Sequence, residues 1–361
     1  MQLPQRSMLV VAVVSIALFV LCLWISLSTW LAWQASPLLI GALALVAASI
    51  AMGVLGIQNL RGRTLSFVAA AMWFIGGFGL LVTLVAAPLL MAAWYSSQYP
   101  VAVPTVTLTK GNRTVVLQGM FHMGSRQFYE SVVYDLERAL LDDYVLFFEG
   151  ISKPTQEGRE WFNNVMGGGR SLTGNYRLMS EGCGLSFQLD FLDVVQKSPI
   201  ISDEQAVIVD VTASDLRDEA AKIAKRDGVF AAYIDARIES SKEQASFGYD
   251  LDGLISLFRS LNLQQQRDVG ILCRAYMTHT MRKTHERGVL DPLLLDFRNR
   301  QLAQKIENHQ HPRVFVTYGA KHLEGTVEEL QSLDPEWQIA SLKWTRVISE
   351  PNVVTGRFGD D

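Results

Sequence analysis

The sequence predicts an α/β domain, built from a mixed sheet with flanking helices and preceded by three transmembrane helices. Two observations predict this arrangement. Formal charge is almost absent before Lys110, where only Arg6, Arg61 and Arg63 carry it, and all 36 acidic residues follow. From Lys110 onward, short apolar runs typical of strands alternate with segments of helical periodicity, the order expected of an α/β sheet.

Three apolar segments predict a membrane anchor over residues 1–95, with spans at about 8–33, 38–57 and 65–94. Each reaches the roughly 20 residues that a helix needs to cross the hydrocarbon core. A cleaved signal peptide would have a shorter apolar region and no further spans. The arginines flank the first and third spans on one side, so the positive-inside rule places the N-terminus in the cytoplasm. The soluble domain is then extracytoplasmic, in a bacterial periplasm, and the lipid bilayer is a partner.

Beyond the anchor, residues 96–110 are predicted to form a linker and the first strand, 111–345 the α/β domain, and 346–361 a C-terminal tail. From Lys110 the chain carries 29 basic and 36 acidic residues, a net charge of −7. This acidic balance lacks the basic surface that nucleic-acid binding requires. Cys183 and Cys273 are compatible with a disulfide in an oxidising compartment and equally with two buried thiols.

Residue patterns place the individual elements of the domain. Continuous or alternating apolar runs predict strands at 103–108, 114–118, 144–148, 206–209, 314–318 and 337–342. Helical spacing predicts helices at 126–141, 184–195, 265–287, 290–307 and 326–333, and broken helical segments between 215 and 260. Thr326 and Glu329 form a capping-box pattern that predicts a helix beginning at Thr326. Residues 152–175 are polar and glycine-rich.

Two distant segments share one pattern, a buried strand followed by Gly-x-x-His. The first is Val115–Gly124, with Gly119 and His122, and the second is Val314–Leu323, with Gly319 and His322. Glycine after a strand allows a sharp turn or a close backbone approach. The histidine then lies beyond the carboxyl end of its strand, where open α/β sheets place their sites. One such motif is weak evidence of function, but the matched pair indicates a site.

Two carboxylates end buried strands in the same way. Glu149 follows the apolar run that ends at Phe148, and Asp210 follows Val209. A carboxylate in this position is costly to bury unless it is paired or bound to a metal. Two imidazoles with one or two carboxylates suit zinc, manganese or cobalt better than calcium or magnesium. Structural alternatives remain, since Glu149 could pair with an arginine and Asp210 could cap the following helix.

Arg298 belongs to a predicted helix beside the apolar residues 293–295, where an arginine needs a partner. It is predicted either to form a salt bridge or to stabilise an oxyanion. With this arginine in place, the pattern resembles the TraB/PrgY/GumN/Tiki family, which groups with erythromycin-esterase-like and ChaN-like proteins. That family carries two Gly-x-x-His motifs, a glutamate ending an early strand and an arginine-containing helix before the second motif. The resemblance covers Thr114 to Leu333. In many relatives an arginine closely follows the glutamate, whereas here the next one is Arg159.

Tiki members are understood as metal-dependent proteases that act outside the cytoplasm, so the resemblance implies a metal-dependent hydrolase with a peptide or protein substrate. In this hypothesis His122 and His322 hold a divalent ion, manganese, cobalt or zinc, with help from Glu149 or Asp210. The ion lowers the pKa of a bound water, and Glu149 takes its proton if it is not itself a ligand. Two alternatives stay open: a module that binds a peptide or signal without cleaving it, and a metal-free esterase-like hydrolase with a histidine base.

Overall fold

A computed structural model describes residues 46, 48–49, 67–152, 155–167, 172–196, 201–202, 204–244, 251–282 and 287–348. The described residues fall into two compact units. One contains residues 67–98 and 261–275, and the other contains the described parts of 99–260 and 276–348. The sheet and every candidate site residue belong to the second unit.

The elements alternate between helix and strand along most of the second unit. The strands are β1 (Ala102–Lys110), β2 (Arg113–Met120), β3 (Met123–Gly124), β4 (Val145–Phe148), β5 (Ser186–Phe187), β6 (Ala206–Ile208), β7 (Arg313–Gly319) and β8 (Gln338–Arg346). The α-helices are α1 (Phe67–Gln98), α2 (Arg126–Leu141), α3 (Gln156–Gly167), α4 (Leu172–Gly182), α5 (Leu189–Gln196), α6 (Ala213–Ala224), α7 (Gly228–Gln244), α8 (Leu251–Ser260), α9 (Leu263–Arg282), α10 (Arg298–Asn308) and α11 (Leu323–Leu333). A π-helical turn (Pro292–Phe297) precedes α10, and a 3₁₀ turn (Ala320–His322) precedes α11.

A six-stranded mixed sheet organises the second unit, with the strand order β6-β4-β7-β2-β1-β8. The strands β6, β4, β7 and β2 are parallel, whereas β1 is antiparallel to both β2 and β8. β7 is the last of the four parallel strands in the sequence, yet it lies between β4 and β2. The carboxyl ends of these four strands therefore meet at one edge of the sheet, where the functional residues of such sheets lie.

The main core packs α10 and α11 against the sheet. Apolar residues of β1, β2, β4 and β7 are buried with those of the two helices, among them Leu117, Phe147, Val316, Ile306 and Leu330. Burying one such side chain contributes roughly 1.5–3 kcal/mol. Since α10 starts at Arg298 and α11 follows directly after His322, this packing fixes two candidate site residues against the sheet edge.

The α/β fold with a mixed sheet is confirmed, and most predicted strands lie within one residue or two of the observed ones. The polar segment 152–175, for which no element was predicted, contains α3 and the start of α4. The helix start predicted at Thr326 was wrong. Thr326 does not begin a helix, because α11 begins at Leu323 and Thr326 lies inside it with 1% of its surface exposed.

The predicted membrane spans at 8–33 and 38–57 fall outside the described residues, apart from residues 46, 48 and 49. Of the third span, 65–94, residues 67–94 belong to α1. Within the part of the chain that the structure describes, no helix combines the length and apolarity required to cross a membrane. The three-span anchor stays a prediction.

Candidate functional site

The two Gly-x-x-His motifs leave neighbouring parallel strands. In the pairing of β2 with β7, Gly119 lies opposite Tyr318 and Met120 opposite Gly319. At Gly119, β1 passes so close that a Cβ atom would lie 2.7 Å from the carbonyl oxygen of Pro104, so this strand position requires glycine. The motifs are therefore adjacent in space, and His122 and His322 follow the same end of the sheet.

The two predicted carboxylates follow the other two parallel strands. Phe148 pairs with Thr317 on one side and with Ile208 on the other, so β4 and β6 end beside β7. The backbone N–H of Glu149 continues the ladder by donating to Thr317 O at 3.0 Å. Glu149 and Asp210 thus lie at the carboxyl edge that also carries the two motifs.

Arg298 connects these residues from the start of α10. Its guanidinium is buried and donates from Nη2 to Glu149 Oε1 at 2.6 Å and to Asp210 Oδ2. Its Nε donates to Asp210 Oδ1 at 3.0 Å, and its Nη1 lies 3.0 Å from His322 Nε2. These four hydrogen bonds occupy four of the five N–H groups that a guanidinium has. We call Arg298, Glu149, Asp210 and His322 the arginine cluster.

Asp210 anchors the arginine cluster. Its side chain is fully buried, and besides Arg298 it accepts from Tyr318 Oη at 2.7 Å and from the backbone N–H groups of Val211 and Gly150 at 2.8 and 3.3 Å. These donors compensate the desolvation of the carboxylate. Asp210 is not the cap of the next helix, because Thr212 and Asp215 form the capping box of α6.

Glu149 joins the cluster to the second motif. Its Oε1 accepts from Arg298, and its Oε2 accepts from the backbone N–H of Gly319 at 2.7 Å. Its side chain keeps 14% of its surface exposed, against 0% for Asp210. Of the two carboxylates, Glu149 is therefore the one that a ligand at the sheet edge would reach.

His322 has a defined tautomer. A guanidinium can only donate, so His322 Nε2 accepts from Arg298 Nη1. The proton is then on Nδ1, which donates to Asn299 Oδ1 at 2.7 Å. Burial, together with the positive charge of Arg298, lowers the pKa of His322 to about 3. His322 is therefore neutral at physiological pH.

His122 is the solvent-accessible histidine of the site. It lies between β2 and β3, and its carbonyl accepts from the backbone N–H of Gln188 at 3.0 Å, directly after β5. Its ring stacks on Tyr176, with 4.4 Å between ring centroids. Protein atoms crowd the ring and lower the pKa of His122, although part of it still meets solvent, while the negative charge of Glu149 opposes this shift. His122 thus lies at an exposed position, and its neutral imidazole is close enough to the cluster to respond to the charges of Glu149 and Arg298.

Three participants were not predicted from the sequence. Tyr176 belongs to α4, which begins in the segment that was read as polar and glycine-rich. Asn299 directly follows Arg298 in the sequence and Tyr318 directly precedes Gly319, but neither was assigned a role. Asn299 and Tyr318 are polar side chains next to buried positions, and buried polar groups need hydrogen-bond partners. This was the signal by which the sequence could have indicated them as site residues.

The predicted metal ligands do not fit a metal ion while Arg298 lies among them. Both ring nitrogens of His322 already have partners, and five donor groups surround the carboxylate of Asp210. Among the described residues, no group of three or more His, Cys, Asp or Glu side chains is arranged to hold an ion. Metal binding by His122, His322, Glu149 and Asp210 stays a prediction, and the arrangement described here is organised by a guanidinium.

Comparison with known proteins found no matching family model, no similar curated protein and no similar solved structure. The fold and the site together define an α/β protein with a charged cluster at the carboxyl edge of its parallel strands.

Proposed function

We propose that the domain is a hydrolase of carboxylic acid derivatives, an ester or a peptide, in which His122 is the general base. The observation that carries this proposal is a neutral, solvent-accessible imidazole beside a buried cluster of fixed charges. A base must be unprotonated and must reach its substrate. His122 is neutral and lies at an exposed position, which supports this role, whereas His322 is buried and has a hydrogen bond at each nitrogen.

The cluster supports the proton transfer electrostatically. His122 takes a proton from water as the water oxygen bonds to the substrate carbonyl carbon, and it then gives that proton to the leaving group as the old bond breaks. The imidazolium formed between these steps is stabilised by Glu149, whose charge raises the pKa of His122. Arg298 holds Glu149 in place and has one N–H group left for an oxyanion.

The metal-dependent peptidase predicted from the family resemblance is the second candidate. Its support is the convergence of both Gly-x-x-His motifs with Glu149 at one sheet edge. It requires the guanidinium to leave His322. Turnover that disappears with a chelator and returns with zinc, manganese or cobalt would favour this candidate over the metal-free form.

The test uses the full chain in detergent against panels of chromogenic esters and fluorogenic peptides. His122→Ala should reduce kcat/KM by about 10²–10⁴-fold, the usual contribution of a positioned base. His311→Ala is the matched control, since His311 lies in the turn before β7 and contacts Asp143 and Arg313. For the wild type, the acid limb of kcat/KM should have its midpoint below pH 6.5, because the pKa of His122 is lowered.

Turnover by His122→Ala at the wild-type rate would refute the assignment of the base. A protein that binds peptides but turns over no member of either panel would favour the binding module instead.

A further inference from the structure

The position that a metal ion would need in this site is filled by a side chain of the protein itself. We propose that Arg298 is the resident cation of the arginine cluster: it keeps divalent ions out of the wild-type protein, and its removal uncovers a site for one zinc or cobalt ion held by Glu149, Asp210 and His322. This inference concerns ion binding alone, so it stands or falls separately from the proposed hydrolysis.

The geometry of the donors carries the proposal. Glu149 Oε1 lies 2.6 Å from Nη2, His322 Nε2 lies 3.0 Å from Nη1, and Asp210 Oδ2 also contacts Nη2. All three atoms therefore direct lone pairs at one guanidinium. Zinc binds carboxylate oxygen and imidazole nitrogen at about 2.0–2.2 Å. A small ion at the position of Nη2 would require Glu149 Oε1 to close in by about 0.5 Å, and His322 would have to move farther because its Nε2 contacts the other nitrogen, Nη1.

The charges also suit a divalent ion better than the single charge present. Glu149 and Asp210 supply two carboxylates, and Arg298 compensates one of them, which leaves an excess of one negative charge in the cluster. Without the arginine, two buried carboxylates would remain beside a neutral imidazole. Zinc or cobalt would neutralise both, and one histidine with two carboxylates is a ligand set that these ions accept.

The surroundings of the cluster already resemble the outer shell of a metal site. A histidine ligand donates its second ring N–H to a fixed acceptor in most such sites. Here Asn299 Oδ1 accepts from His322 Nδ1 and leaves Nε2 free to act as the ligand once Arg298 is gone. Tyr318 and two backbone N–H groups hold Asp210 in the same way.

Arg298 prevails in the wild type because it is part of the chain and cannot diffuse away. An ion entering the cluster would have to displace four hydrogen bonds. The displaced guanidinium, 6% exposed in its present position, would lose its charge partners in the interior. A buried charge without a partner is strongly unfavourable, so the exchange does not occur.

The experiment compares five forms of the full chain, each carrying a tag without histidine and purified in detergent. They are the wild type, Arg298→Ala, His322→Ala, Arg298→Ala with His322→Ala, and Arg300→Ala as the matched control. Arg300 is on the same helix with 42% of its side chain exposed. Each is incubated with excess zinc or cobalt, freed of loose ions and analysed for metal. We expect wild type and Arg300→Ala to be essentially empty, Arg298→Ala to hold about one ion per chain with the visible absorption of tetrahedral cobalt, and the double variant to lose it.

Two results would overturn the proposal. One is a wild-type protein that holds about one ion per chain, together with a His322→Ala variant that holds none. The other is a folded Arg298→Ala protein that takes up no ion. If Arg298→Ala does not fold unaided, it and Arg298→Gln are produced with zinc in the medium, since the ion should restore the missing charge. Folded, zinc-loaded protein then supports the proposal, and failure of both variants to fold with zinc contradicts it.

Discussion

The arginine cluster predicts that its two carboxylates make different contributions, which isosteric substitutions separate. In Asp210→Asn, one oxygen becomes an NH₂ group. If the NH₂ group takes the place of Oδ2, it faces two other donors, the Nη2 group of Arg298 and the backbone N–H of Gly150. Two hydrogen bonds are then lost, and each is replaced by a contact between two donors. Arg298 also loses the charge of its fully buried partner.

Removing one partner of a buried ion pair costs about 3–5 kcal/mol, and the low end applies here because the amide oxygen keeps its own bonds. About 3 kcal/mol corresponds to a decrease in Tm of roughly 6–12 °C for a domain of this size. Glu149→Gln should cost less, about 1–2 kcal/mol, because one partly exposed hydrogen bond to a charged group is lost. After correction for the folded fraction, kcat/KM should fall more in Glu149→Gln than in Asp210→Asn, since Glu149 supplies the charge that acts on His122.

Thermal unfolding of the full chain in detergent, followed by circular dichroism, measures which variant loses more stability. The value of kcat/KM, corrected for the folded fraction, measures which variant loses more activity. A smaller loss of Tm in Asp210→Asn than in Glu149→Gln would refute the assignment of Asp210 as the anchor. Equal losses of activity in the two variants would refute the particular role given to Glu149.

Two further predictions concern His322 and its support. A Cβ atom at Gly325 would overlap Asn299 Nδ2, so Gly325→Ala should destabilise the protein by about 1–3 kcal/mol and lower its activity by shifting His322. Gly228→Ala is the control, because a Cβ atom there enters open space and should leave the Tm unchanged or raise it. The pKa of His322 is about 3 in the folded protein and 6.5 when unfolded, so the unfolded chain binds the extra proton between these values. Stability present above pH 6.5 should therefore be lost as the pH falls toward 3, by roughly 1.4 kcal/mol per pH unit, and His322→Gln should reduce that slope in denaturant unfolding at about pH 4–6. An unaltered slope in His322→Gln would contradict the second prediction.

The sequence predicted the strands well because their signal is local. The run from Val145 to Phe148 is apolar at every position, and such a run indicates a strand buried on both faces. Glu149 and Asp210 directly follow such runs, and His122 and His322 each lie three residues after the glycine that follows a strand. All four could therefore be assigned to the carboxyl ends of strands without knowledge of the strand order.

The role of Arg298 could not be predicted in the same way. Its partners Glu149 and Asp210 are 149 and 88 positions away in the sequence, and only the packing of α10 on the sheet brings the guanidinium between them. The sequence therefore left open whether the carboxylates pair with an arginine or bind a metal. Tyr176 was missed for a related reason, because its contact with His122 joins residues that are far apart in the sequence and no local pattern indicates it.

The central position of β7 affects when the sheet can assemble during synthesis and folding. Among the described strands of the large sheet, β2 pairs with β1 and β7, and β4 pairs with β6 and β7, so ladder contacts between the two halves pass through β7 alone. This strand is synthesised after β2, β4, β6 and α10, and pairings between such distant segments form slowly. His122 and Glu149 therefore belong to separate halves until the last parallel strand inserts. A nascent chain that does not yet contain β7, or a chain truncated before it, therefore lacks an assembled site.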